Sequence, residues 1–200
     1  MDAEQNVETV DDEDEAKEPV RWVKEAFDWL EVVVTAMIAV VLIFSFIFRV
    51  ATIDGESMQY TLLNGEKVII TNLAYEPKVG DIVVISRNKS NSLSEQSELP
   101  IIKRVIATEG QVVDIDFVKG EVYVDGVKEN FVDVPTNLRY DVEFPVTVDE
   151  GCVFVLGDNR NDSLDRRASW IGNNGMIDTR YILGHAIFRI YPFDKLGGIG

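Results

Sequence analysis

An apolar run without a single charge, Val-Val-Val-Thr-Ala-Met-Ile-Ala-Val-Val-Leu-Ile-Phe-Ser-Phe-Ile-Phe, occupies residues 32–48. As a helix it rises ~26 Å, against ~30 Å for the hydrocarbon core of a bilayer. Leu30, Trp29 and a snorkelling Arg49 can cover the shortfall. Residues 21–30 form a short amphipathic lead-in that puts Trp22, Phe27 and Trp29 at interfacial depth. A cleaved secretion signal is the competing reading, but the run exceeds a usual signal core and its lead is acidic rather than basic. The pattern predicts an uncleaved transmembrane anchor over residues 29–49.

After Arg49 the period becomes extended. Residues 67–71 and 81–86 are short β-branched runs separated by Pro77 and Gly80. Residues 101–108 and 111–117 predict two strands around Glu109-Gly110. Residues 121–124 follow Lys119-Gly120, and Asp125-Gly126 supplies a tight hairpin turn. Residues 152–156 and 182–191 complete the set, whereas residues 87–99, rich in Ser and Asn, predict a surface loop. The expected fold class is mainly β: a strongly coiled, mostly antiparallel β-sheet domain over residues 50–200, behind one N-terminal transmembrane helix.

Composition adjusts this picture in three ways. Two hundred residues at 46% hydrophobic content suffice for one domain plus a membrane segment. The net charge is −16, and residues 1–18 carry nine carboxylates against Lys17, about half of it, so residues 1–28 are expected to be an acidic, largely disordered tail and lead-in. No basic stripe appears, which argues against a nucleic-acid partner. A single cysteine, Cys152, excludes an internal disulfide and a cysteine-based zinc site; a single histidine, His185, excludes a multi-histidine site. No metal and no cofactor is expected. Lys17, Arg21 and Lys24 precede the span whereas Arg49 and Lys67 follow it, a bias toward a cytoplasmic N-terminus.

The candidate nucleophile is Ser57, in Gly55-Glu56-Ser57-Met58-Gln59-Tyr60-Thr61-Leu62, a few residues beyond the anchor. Met58 and Leu62 look like exposed apolar residues beside it. A serine nucleophile needs a base. His185 lies in Gly184-His185-Ala186-Ile187-Phe188, where a structural role is expected. Lys103 offers another solution: within Ile101-Ile102-Lys103-Arg104-Val105-Ile106 the two basic residues fall on opposite faces, so at least one points to the apolar side. A lysine there is costly unless paired or neutral. Gly157-Asp158-Asn159-Arg160-Asn161-Asp162-Ser163 is a turn by composition.

Taken in order, these segments resemble the bacterial type I signal peptidases, membrane serine peptidases that remove signal peptides from exported proteins. The resemblance rests on the anchor, Ser57-Met58-Gln59-Tyr60-Thr61-Leu62, Val79-Gly80-Asp81-Ile82-Val83-Val84, Lys103-Arg104-Val105, the run from Gly157 to Arg167, and Ile182-Leu183-Gly184-His185-Ala186. It implies Ser57 as nucleophile, Lys103 as general base, Ser163 as the group that orients the lysine, and Asp158, Asp165 and Arg167 as structural residues near the site. The backbone N–H of Ser57 would donate to the oxyanion. Lysine rather than histidine as the base resembles the prokaryotic type.

The implied partners are signal-peptide-bearing preproteins and the lipid bilayer. The implied location is the cell membrane, single-pass, with the N-terminus cytoplasmic and the catalytic domain extracytoplasmic. Small residues are expected at the first and third positions before the cut, in pockets walled by Met58, Leu62 and Ile102, whose alternative role is ordinary core. Free lysine, with a pKa near 10.4, is only ~0.04% neutral at pH 7, so burial among Ile101, Ile102, Val105 and Met58 is expected to lower it. Three positions depart from the pattern: Tyr60 stands where proline is usual, Arg166 where serine is common, and Gly55 where some members place a second oxyanion donor. Two rivals remain, a self-cleaving Ser-Lys repressor and a catalytically dead membrane module. The first would carry a DNA-binding helical domain; the second would have lost Ser57, Lys103 or Ser163.

Overall fold

The computed structural model describes residues 21–86, 100–139, 142–163 and 176–199. The chain divides into two units, Met1–Ile43 and Phe44–Gly200. The described residues of the first belong to helix α1 (Arg21–Ile47), whose last residues open the second unit. No glycine or proline interrupts α1, so it takes in the amphipathic lead-in together with the apolar run and gives way to a strand at Phe48. Among the described residues it is the one helix long and apolar enough to cross a membrane, and none of its most apolar window is buried against protein. Val32, Met37 and Val41 each expose more than half of their surface. A helix apolar all round and uncovered by protein matches a bilayer as its surroundings.

The second unit consists of short strands: β1 (Phe48–Thr52), β2 (Lys67–Thr71), β3 (Ile82–Ile85), β4 (Ile101–Thr108), β5 (Val112–Asp116), β6 (Glu121–Val124), β7 (Val127–Lys128), β8 (Val146–Thr147), β9 (Cys152–Leu156), β10 (Ile177–Asp178), β11 (Ile182–Tyr191) and β12 (Gly197–Gly198). Among the described residues the larger sheet runs β1-β2-β11-β3-β4-β9-β10, with β12 also on β11, and the smaller runs β7-β6-β5-β8. The pairings are antiparallel. Register shifts interrupt β11 between Ile182 and Gly184, Ala186 and Phe188, and Arg189 and Tyr191, and interrupt β4 between Val105 and Ala107. Each such irregularity adds right-handed twist, and together they coil the larger sheet. The fold class is the mainly β, antiparallel one that the hydrophobic pattern predicts.

Local chemistry explains the smaller sheet. Asp125 (φ +51°) and Gly126 (φ +78°) both sit in the left-handed region, as a two-residue hairpin between twisted strands requires. The Asp125 carboxylate then accepts from Val112 N at 2.8 Å and from Gln111 Nε2 at 3.0 Å, joining the turn to the start of β5.

The core lies on both sides of the larger sheet. Ile106, Phe154 and Leu156 pack with Val113, Ile115 and Val122 of the smaller sheet. Met58, Leu62, Val68, Ile82 and Val84 form a second cluster, with Ile102 against it. Val83, Ile85, Val105 and Val155 form a third, with Ile101 against it. Strand β4 therefore contributes to all three and is covered on both faces.

Candidate active site

The segment holding Ser57 is an excursion between two paired strands. β1 and β2 pair from Phe48↔Thr71 to Thr52↔Lys67. Just beyond, Ile53 N donates to Glu66 O at 2.8 Å and Gly65 N to Ile53 O at 2.9 Å. The residues between leave and return at one point, as a closed loop. Within it, Gln59 N donates to Glu56 O at 2.9 Å and Leu62 N to Met58 O at 2.9 Å. Met58 and Leu62 are 1% and 0% exposed, so burial of two side chains pins the loop to the core while Ser57 stays half-buried. From β11, Arg189 Nη2 donates to Thr61 O at 2.8 Å, and its Nε lies 3.2 Å from the Glu66 carboxylate. The loop's exit is thereby fixed.

Lys103 and Arg104 come from β4, opposite Val83 and Ile82 of β3. Alternation required at least one of the two to be buried; both are, at 3% and 5% exposure, because both faces of β4 are covered. The Arg104 guanidinium meets the Asp158 carboxylate at 2.9 and 2.7 Å and donates to Gly80 O at 2.8 Å. A bidentate pair of this kind offsets the desolvation of its two charges. Lys103 Nζ lies 2.7 Å from Ser57 Oγ and 3.0 Å from Ile102 O.

The turn after β9 joins these parts through its side chains. Asp158 holds Arg104. Asn159 donates its backbone N–H to Ser57 O at 3.0 Å and its Nδ2 to Glu56 O at 3.2 Å. Arg160 pairs with Glu129 at 2.8 Å and donates to Thr136 Oγ1 at 3.2 Å. Asn161 donates to Pro135 O and accepts from the backbone N–H groups of Asn137 and Leu138. Ser163 is buried. At Gly157 a Cβ would strike Ser163 Oγ and come within 2.5 Å of Ser57 O. Glycine is required there by space, since the hydroxyl of Ser163 and the carbonyl of Ser57 both close on that point.

The arrangement brings a serine hydroxyl and a buried lysine amine within hydrogen-bond reach, the geometry that nucleophile activation by a general base requires. Among the described residues no three His, Cys, Asp or Glu side chains cluster as metal ligands would.

Residues 26–191 match the family model described as "Signal peptidase, peptidase S26". The chain belongs to this family. It is 33% identical over 190 residues to a probable signal peptidase I-1 of Synechocystis sp., covering 91% of this chain and 89% of that protein. It is 30% identical over 181 residues to a signal peptidase I of Bacillus licheniformis, covering 85% and 91%, and 29% identical over 192 residues to a signal peptidase IB of Staphylococcus aureus, covering 86% and 93%. A crystal structure of a signal peptidase I from Enterococcus faecalis V583 is 26% identical, with a TM-score of 0.39, and covers 56% of this chain and 97% of that one.

Within this S26 chain, the residues singled out from sequence fall into three groups. Ser57, Lys103, Asp158 and Ser163 come together around Gly157 and β4. Met58 and Leu62, expected as exposed apolar residues beside Ser57, are instead core side chains, because the loop folds inward onto Ile53 and Val68; Ile102 is partly buried against the same cluster. Asp165, Arg167 and the departure at Arg166 lie outside the described residues, as do the acidic tail and the 87–99 segment. His185 stacks on Tyr75 with ring centroids 4.0 Å apart. Tyr75 in turn donates to Asp81 Oδ2 at 2.7 Å, and burial, then the Asp81 carboxylate, pushes its phenol well above the ordinary tyrosine range. Asn159, Asn161 and the Arg160–Glu129 pair were not anticipated individually, since a turn composition signals only the turn, and their partners are distant in sequence.

Proposed function

We propose that this chain is a membrane-anchored serine endopeptidase that removes N-terminal signal peptides from exported preproteins, with Ser57 as nucleophile and Lys103 as general base. The observation that carries this reading is the 2.7 Å separation of Lys103 Nζ and Ser57 Oγ with the lysine buried. Burial disfavours the ammonium form, which is what a base at this position needs.

Neutral Lys103 takes the Ser57 proton as Oγ attacks the scissile carbonyl. The Ser57 backbone N–H donates to the oxyanion. The lysine then protonates the leaving amine, freeing the mature protein and leaving the signal peptide as an ester on Ser57. A water deprotonated by the same lysine hydrolyses that ester. Ser163 orients Lys103. The cleavable stretch binds extended, with small residues one and three positions before the cut, in shallow pockets that Ile102 borders and Met58 and Leu62 back from the core. The apolar helix spans the membrane once and ends where β1 begins at Phe48, short of the expected Arg49; residues 1–28 lie on the cytoplasmic side, and the β-domain acts outside.

The test is incubation of the purified, detergent-solubilised chain with one preprotein, reading product size and new N-terminus. Wild type should release the mature protein and Ser57→Ala should not. Undiminished cleavage by folded Ser57→Ala overturns the proposal.

A further inference from the structure

The geometry points to Asn159 as a positioning residue for the Glu56–Ser57 peptide, the unit whose N–H is assigned above to the oxyanion; the inference rests on that assignment. Asn159 Nδ2 lies 3.2 Å from Glu56 O. A backbone carbonyl only accepts, so it is the amide nitrogen that faces it. Glu56 O also receives Gln59 N at 2.9 Å. That oxygen and the Ser57 N–H are opposite ends of one planar amide. Donors at the oxygen polarise the amide and strengthen its N–H as a donor, and they fix the plane, hence the direction in which the N–H points.

Asn159 also controls the next peptide unit, because its own N–H donates to Ser57 O at 3.0 Å. Both amide planes flanking the Ser57 Cα are thus tied to one residue. That residue is itself held on both sides, by the buried Asp158–Arg104 pair and by Arg160 on Glu129. With glycine at position 55, no side-chain hydroxyl stands two residues before Ser57, so the orientation of the Ser57 N–H carries more of the transition-state stabilisation. Asn159 acts through the peptide and touches no substrate.

The experiment compares wild type, Asn159→Ala, Asn161→Ala and Ser57→Ala in the full detergent-solubilised chain. It measures kcat and KM on a signal-peptide substrate, the affinity of a peptide aldehyde that forms a tetrahedral adduct with the serine, and the affinity of an uncleavable ground-state peptide. Asn159→Ala should lower kcat roughly tenfold, the scale of one hydrogen bond. Aldehyde affinity should fall in proportion, with KM and ground-state affinity within about twofold. Asn161→Ala, which removes only hydrogen bonds to residues 135, 137 and 138, should lower Tm without separating aldehyde from ground-state affinity. Equal losses of both affinities in Asn159→Ala, or a kcat within twofold of wild type, overturn the inference. Should Asn159→Ala not fold, Asn159→Asp decides. Its protonated carboxyl can donate to Glu56 O and its ionised form cannot, so the ratio of variant to wild-type kcat should fall as pH rises through the carboxyl's titration. A flat ratio overturns the inference. Cleavage by Ser57→Ala would instead remove the catalytic reading beneath it.

Discussion

Lys103 Nζ and Ser57 Oγ stand 2.7 Å apart although 46 residues separate them in the chain. The contact exists because β4 carries the lysine into the interior while the β1–β2 excursion folds Ser57 back over the same region. If the lysine acts as a neutral base, the active form is the deprotonated one, so kcat/KM should rise with pH through an apparent pKa below the free-lysine value near 10.4. Lys103→Met and Ser57→Ala should each reduce cleavage to background, and the double variant should be no worse, since the two act as a unit. A pH–rate series on a soluble signal-peptide substrate checks the first expectation; a wild-type profile still climbing at about pH 10 would show that the lysine is charged through the working range.

Two glycines of the site should respond oppositely to alanine. At Gly157 a Cβ meets Ser163 Oγ and Ser57 O, so Gly157→Ala must displace one of them. Displacements of about 1 Å at a reacting centre cost on the order of 10²-fold in rate. At Gly55 nothing lies within 4 Å and the difficulty is only the φ of +95°, so Gly55→Ala should cost roughly 1 kcal/mol of stability and leave most of the activity. Steady-state kinetics and thermal unfolding of both variants distinguish space from conformation; comparable activity losses in the two would contradict the packing described for Gly157.

Much of this architecture is legible in the sequence because the longer strands are rich in β-branched and aromatic residues; β2, β4, β6, β9 and β11 fall where that pattern puts them. The two-residue strands β7, β8, β10 and β12 are too short to carry any period. β1 is hidden for another reason: its first residue, Phe48, is also the last of the uncharged apolar run, and pairing with β2 makes Phe48 to Thr52 a strand. At the site, Ser57 and Lys103 carry no local sign of their contact, which the family pattern alone suggests in advance. Met58 and Leu62 sit between Gly55 and Gly65 in a segment that looks like surface turn, and it is the inward fold of the loop that buries them.

The Arg104–Asp158 pair should be a stability element in its own right. Both side chains are nearly inaccessible, at 6% and 0% exposure. Asp158→Asn leaves a guanidinium buried without its counter-charge, a change that costs about 3–5 kcal/mol for pairs of this kind. Adding Arg104→Met to Asp158→Asn should recover part of that loss, because the stranded charge is gone. Chemical unfolding of the full chain in mild detergent measures the cycle, and strictly additive losses would mean that the two charges do not depend on each other.

Tyr60 stands where the resemblance places proline, yet restoring proline should damage this chain. Its φ is +84°, and a pyrrolidine ring holds φ near −65°. Tyr60→Pro therefore requires the Gln59–Thr61 backbone to rearrange beside Ser57. A loss of ~2 kcal/mol or more is expected, together with reduced cleavage, whereas Tyr60→Asn, which tolerates the left-handed region, should be near neutral. A stabilised, fully active Tyr60→Pro would show that the loop does not hold this conformation in solution.

Tyr75 gives the structure an alkaline limit that lies outside the catalytic pair. Its hydroxyl donates to Asp81 Oδ2 at 2.7 Å, and burial first, then that carboxylate, raises its pKa from 10.0. In the unfolded chain the phenol ionises near its ordinary value, whereas in the folded chain it stays neutral. Above about pH 10 the folded state therefore binds more protons than the unfolded one, and stability falls as pH rises. Tyr75→Phe removes the titrating group and the hydrogen bond together. It should be less stable than wild type near pH 8, by about 1 kcal/mol, and the difference should narrow as pH rises from 9 toward 11. Thermal unfolding across that range reads both effects, and a difference that stays constant with pH would mean that Tyr75 ionises as readily folded as unfolded.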